Sequence, residues 1–85
     1  MDPTVTLEMA LSGDTQATRD YNAWIQRGGF AARVAIDPAT DLFMRGVRYA
    51  QVRWVGRKYV TITELTVRGR YTGKIAMQHV TPIGE

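Results

Sequence analysis

The stretch Val47–Val80, VRYAQVRWVGRKYVTITELTVRGRYTGKIAMQHV, decides the fold. It is rich in β-branched and aromatic residues. Two short basic turns interrupt it, Gly56-Arg57-Lys58 and Arg68-Gly69-Arg70. Such residues suit a pleated, half-buried surface, and a glycine-containing break between two of these runs marks a hairpin. The stretch reads as a three-stranded antiparallel meander.

Register follows from asking which pairing sets like against like, because directly opposed residues share a face. A three-residue loop at Gly56-Arg57-Lys58 sets Val55 against Tyr59, Trp54 against Val60, Val52 against Ile62, Tyr49 against Leu65 and Val47 against Val67. A three-residue loop at Arg68-Gly69-Arg70 sets Val67 against Tyr71, Leu65 against Gly73, Ile62 against Ala76 and Glu64 against Lys74. The last is an opposite-charge neighbour worth about 0.2–1 kcal/mol. On this register the apolar face changes along the meander. Near the first turn it carries Val52, Trp54, Val60 and Ile62. Near the second it carries Val47, Tyr49, Leu65, Val67, Tyr71, Ile75 and Met77. A strongly twisted sheet or a small half-open barrel accounts for the change, as would cover on both faces or a dimer.

Outward from the meander, the chain reads as its covering. Val5, Leu7, Met9 and Leu11 alternate with polar or small residues, the pattern of a half-buried strand. Asp14 is an N-cap for a helix over Thr15–Arg27, with Ala17, Tyr21, Trp24 and Ile25 on one face and Gly28-Gly29 as its stop. Trp24 and Trp54 both read as core. Phe30, Ala32, Val34 and Ile36 form a second strand, and Asp37–Asp41 a turn. Leu42–Met44 begins the return, and Arg45-Gly46 is a bend that feeds the meander. Pro82 blunts the last strand as an edge. The expectation is one α+β domain over residues 1–85: an amphipathic helix packed on a strongly twisted antiparallel sheet of four to five strands.

Composition narrows the function. The chain has no cysteine and one histidine, which removes thiolate chemistry and leaves no transition-metal ligand set. No nucleophile, base and orienting acid fall into a catalytic pattern, so an enzyme is not expected, nor a cofactor. Asp37 and Asp41 lack the oxygen density of a calcium loop. No membrane-spanning run or signal peptide is read, and the expected location is cytoplasmic. The formal net charge is +3, unevenly spread. Residues 1–44 hold three Arg/Lys and six Asp/Glu; residues 45–85 hold eight and two.

The proposed register gathers Arg45, Arg48, Arg68 and Arg70 at one end of the meander, beside Tyr49 and Tyr71. Arg53, Arg57 and Lys58 lie at the other end. Guanidinium groups meet phosphates and aromatic rings stack on bases, so the first functional expectation is a nucleic-acid-binding module using those six residues. The second is a protein-interaction or homodimerising domain that buries an apolar sheet face or an edge strand. The segment Val52–Ile62, VRWVGRKYVTI, resembles short basic hairpins in small proteins of phages and other mobile elements. The resemblance implies an accessory protein of such an element and names no family.

Overall fold

Asp2 opens the first helix. In the computed structural model, which describes residues 1–66 and 69–84 (at 65 and 66 the backbone alone), its carboxylate accepts from Thr4 N at 3.0 Å and Val5 N at 3.4 Å. Pro3 takes the first helical turn, where a missing N–H costs nothing. Helix α1 spans Pro3–Leu11, which corrects the strand expected there. Pro3, Leu7 and Ala10 are buried, a spacing of four and three that marks one helical face, while Val5 and Met9 are exposed. Gly13 closes the helix at φ +101°, its N–H bonded to Ala10 O at 3.1 Å. Caps at both ends outweigh the β-propensity of Thr4, Val5 and Thr6.

Helix α2 spans Thr15–Gln26, and Asp14 caps it as expected, accepting from Gln16 N at 2.9 Å and Ala17 N at 3.0 Å. Ala17 and Tyr21 are buried and Ile25 packs at the core margin. Trp24, expected against the sheet, instead seals the helix end. Its ring meets Phe30 edge-on at 5.9 Å between centroids, and its Nε1 donates to Phe30 O at 2.9 Å. The ring lies over Gly29, where a Cβ would collide with it.

Five strands follow: β1 Arg33–Ile36, β2 Tyr49–Val55, β3 Tyr59–Thr66, β4 Gly69–Ala76 and β5 Val80–Ile83. They form one antiparallel sheet in the order β4-β3-β2-β1-β5. The fold is α+β with more than one helix. Between β1 and β2 the expected return strand at Leu42–Met44 is a short helix, α3, over Asp41–Met44. Thr40 Oγ1 caps it, accepting from Phe43 N at 3.3 Å, and Gly46 at φ +100° ends it, with Val47 N bonded to Leu42 O at 3.0 Å. β1 begins at Arg33 and leaves Phe30 exposed. Pro82 does sit on an edge strand, β5.

Both hairpin registers are corrected. Val52 faces Ile62 as expected, but nearer the turn Trp54 faces Thr61 and Val55 faces Val60. Gly56 N donates to Tyr59 O at 2.9 Å, so Arg57 and Lys58 alone form the tip. A bulge between Val52 and Trp54 absorbs the difference. It turns Val52 and Val55 both inward and leaves Trp54 exposed, whereas plain alternation would send Val55 outward with Arg53. Between Tyr49 and Val52 the expected change of apolar face does not occur: Ala50 and Val52 are buried and Tyr49 is exposed. At the second hairpin Thr66 faces Gly69, so Glu64 faces Tyr71 and Lys74 faces Thr61. The expected Glu64–Lys74 pair does not form. Its register would have set Ile75 on the solvent face; the observed one buries Ile75 opposite Val60. Burying an isoleucine contributes about 1.5–3 kcal/mol, more than the charge pair offers. The expected roles of Val67, of the Leu65 side chain and of Arg68 fall outside the described residues.

A three-residue 3-10 turn, Met77–His79, links β4 at one edge to β5 at the other. Ala76 and Val80 are thus at most about 15 Å apart, four Cα–Cα steps. Four strand intervals in a flat sheet already amount to about 19 Å. The sheet therefore curls, but among the described residues no pairing joins β4 to β5 and it is not closed. Its inner face carries Val34, Val52, Val60 and Ile62, each fully buried.

The helices cover that face, α2 on β2 and α1 on β5. α2 also completes the sheet. β1 stops short of the end of β2, and side chains of α2 take up the exposed β2 backbone. Tyr21 Oη donates to Val52 O at 2.7 Å and accepts from Ala32 N at 2.9 Å. Asn22 Nδ2 donates to Val55 O at 2.9 Å, and its Oδ1 accepts from Val55 N at 2.8 Å. Burial raises the Tyr21 phenol above its ordinary pKa, and the Ala32 hydrogen bond and nearby Arg53 offset part of this.

Candidate functional site

The outer face of the sheet is the place to look. Alternation sets Arg33, Tyr49, Gln51, Trp54, Tyr59, Thr61, Thr63, Arg70, Thr72 and Lys74 on it, opposite to the helices. Two cross-strand rows organise these residues. One is Arg33–Gln51–Thr63–Thr72, across four strands; the other is Trp54–Thr61–Lys74, across three. Tyr49 is 58% exposed, Trp54 42% and Tyr59 55%, high values for rings of this size.

The charges sort by layer. The described strands put no Asp or Glu on the outer face; Glu64, the one acidic strand residue, lies on the inner register with one carboxylate oxygen buried and unpaired. Asp2, Glu8, Asp14 and Asp20 belong to α1, α2 and their caps. Arg33, Arg57, Lys58, Arg70 and Lys74 are exposed, and none pairs with a carboxylate; the one ion pair among the described residues is His79–Asp37.

Two shallow recesses open on this face. One is lined by Trp54, Arg57, Lys58, Tyr59, Thr61 and Lys74. The other lies between Arg33, Tyr49, Ala50, Gln51, Thr63, Glu64 and Arg70, so one acid borders it.

The six residues singled out from the sequence are partly dispersed. Tyr49 and Arg70 share the outer face and the same recess. Tyr71 lies on the inner register, its hydroxyl against Gly73, because the second hairpin is shifted from the expected pairing. Arg48 is held at α3: its guanidinium lies 3.7 Å from the Phe43 ring centroid and Nη1 donates to Phe43 O at 2.6 Å. Arg45 is the exposed C-cap of α3, and Arg68 lies outside the described residues. Sequence reasoning missed Arg33, Trp54, Tyr59 and Lys74. The signal for Trp54 was the odd spacing of Val52 and Val55, which needs a bulge to bury both valines.

His79, the single histidine, sits in the 3-10 turn, with Nδ1 at 3.1 Å from Asp37 Oδ2. The Asp37 carboxyl is held below the usual range, chiefly by the Ala39 N–H and then by His79. Among the described residues no three His, Cys, Asp or Glu side chains group as metal ligands, and no helix is long and apolar enough to cross a membrane.

No protein-family model, curated protein or solved structure matches the chain.

Proposed function

We propose that this protein is a non-enzymatic nucleic-acid-binding module that uses the outer face of its sheet. The observation that carries the reading is the pairing of exposed rings with unpaired cations there: Tyr49, Trp54 and Tyr59 beside Arg33, Arg70 and Lys74, with Glu64 the one acid bordering them. Cations meet the phosphates, and rings offer a sequence-tolerant surface for bases. Of the residues expected from the sequence, Tyr49 and Arg70 belong to this surface directly.

Fluorescence anisotropy of a labelled oligonucleotide at several salt concentrations tests the reading. With four phosphates neutralised on a single strand, the log–log salt slope is about −3. Arg33→Glu with Lys74→Glu should abolish most of the binding. Arg19→Glu with Arg27→Glu on α2 changes net charge equally and should do far less. Equal losses from the two pairs, or no binding at low salt, would overturn the proposal.

A second reading, a homodimer, is favoured by a different observation. Val5 and Met9, one turn apart on α1, are exposed, as are Met1 and Phe30, which line one recess with Val5. Such a patch can pack against itself about a two-fold axis through Val5. Light scattering on the wild type and Val5→Glu separates a dimer from a monomer.

A further inference from the structure

The recess between Trp54 and Tyr59 has a more specific chemistry than the face around it. Trp54 is directly opposed to Thr61, so Tyr59, two residues before Thr61, is its diagonal neighbour on the same face. Diagonal neighbours in an antiparallel pair stand about 7–8 Å apart. Their rings do not stack on each other; the one aromatic contact among the described residues is Trp24–Phe30. Both residues instead line the same recess, one from each strand. Thr61, opposite Trp54, lines the recess too, and Arg57, Lys58 and Lys74 complete the lining, with no carboxylate in it.

We infer that Trp54 and Tyr59 clamp one unpaired base of a single-stranded nucleic acid, whose flanking phosphates lie against Lys74, Arg57 and Lys58. The inference rests on the nucleic-acid reading and narrows it. An occupant with flat apolar faces suits the two rings, and anionic flanks suit the three cations. A nucleotide combines both. The base must be unpaired and unstacked, because a duplex keeps its base faces covered.

The test compares three probes by anisotropy at low salt: a labelled ten-nucleotide single strand, an abasic phosphodiester strand of the same length, and a duplex of the same length. Trp54 and Tyr59 are exposed, so Trp54→Ala and Tyr59→Ala should stay folded, which their melting curves check. The wild type should bind the base-bearing strand about tenfold tighter than the abasic one, the usual scale of one stacked base. Each alanine variant should lose about that factor on the base-bearing strand and nothing on the abasic strand. Trp54→Phe should keep part of it. Combining the two alanines should add little, since half a clamp holds no base. If both strands bind the wild type equally, or if Trp54→Ala and Tyr59→Ala leave affinity unchanged, the clamp is wrong while salt-dependent binding keeps the outer-face reading intact. If the duplex binds as tightly as the strand with the same dependence on Trp54, the clamp is also wrong. If no probe binds, both fall together.

Discussion

Asn22→Ala is the most informative single change for the fold. Its side chain satisfies both the N–H and the C=O of Val55 at 2.8 and 2.9 Å, where β2 runs on past the end of β1. Removing it orphans one donor and one acceptor. A fully buried orphan costs about 1–3 kcal/mol, but this site is part-buried and water can reach it, so about 2 kcal/mol for the two together is the expected loss. Alanine is the better helix former by about 0.6 kcal/mol, which offsets part of that. The net loss is about 1.5 kcal/mol. With a urea m-value of about 1 kcal/mol/M for a chain this small, the midpoint should fall by about 1.5 M at unchanged m. Gln26→Ala, on an exposed position of the same helix, should leave the midpoint where it is. A variant Asn22→Ala as stable as the wild type, or more so, would refute the claim that α2 completes the sheet edge. Water would then do as well as the amide.

Three further outcomes are expected. Leu7→Ala removes a fully buried side chain of α1 and should cost about 3 kcal/mol, lowering Tm by about 15 °C; an unchanged Tm would make α1 a dispensable appendage. Gly29→Ala drives a methyl into the Trp24 ring and should destabilise the protein, whereas Gly29→Ala combined with Trp24→Ala should recover part of the loss; additive losses in the two would show that the contact is not the cause. The lowered Asp37 pKa gives stability that is present above the ordinary carboxylate range and lost as pH falls through the lowered value, so Asp37→Asn should flatten the acid limb of the Tm–pH profile, and superimposable profiles would contradict it.

The parts of the fold that were legible in the sequence are those governed by local chemistry. Asp14, the periodicity through Tyr21 and the Gly28-Gly29 stop place α2 without any tertiary information. The meander was visible in its β-formers and glycine turns. The errors lie where two local codes compete. Val5, Leu7, Met9 and Leu11 satisfy period two, while Pro3, Leu7 and Ala10 satisfy period 3.6, and the Asp2 cap decides for the helix. Leu42–Met44 is too short for any period to show, and its helix depends on Thr40 and Gly46.

The candidate site was less legible because it depends on register. A bulge at one hairpin and a shifted pairing at the other exchange inside for outside along β2 and β4. Trp54 moves to the surface, Tyr71 moves to the inner register, and Lys74 loses its expected partner Glu64. Each exchange follows from burying one more valine or isoleucine. The sequence contains that preference only as a sum over pairs, not at any one residue.

Backbone amide shifts recorded during titration with a short single strand test the central claim most directly, because they report where binding occurs. The account predicts that the perturbed amides map to Arg33, Tyr49, Gln51, Trp54, Tyr59, Thr61, Thr63, Arg70, Thr72 and Lys74, with the Trp54 indole among the largest. The amides of α1 and α2 should stay in place. Shifts centred on α1 and Phe30 with the sheet unmoved, or no shifts at saturating strand and low salt, would contradict it.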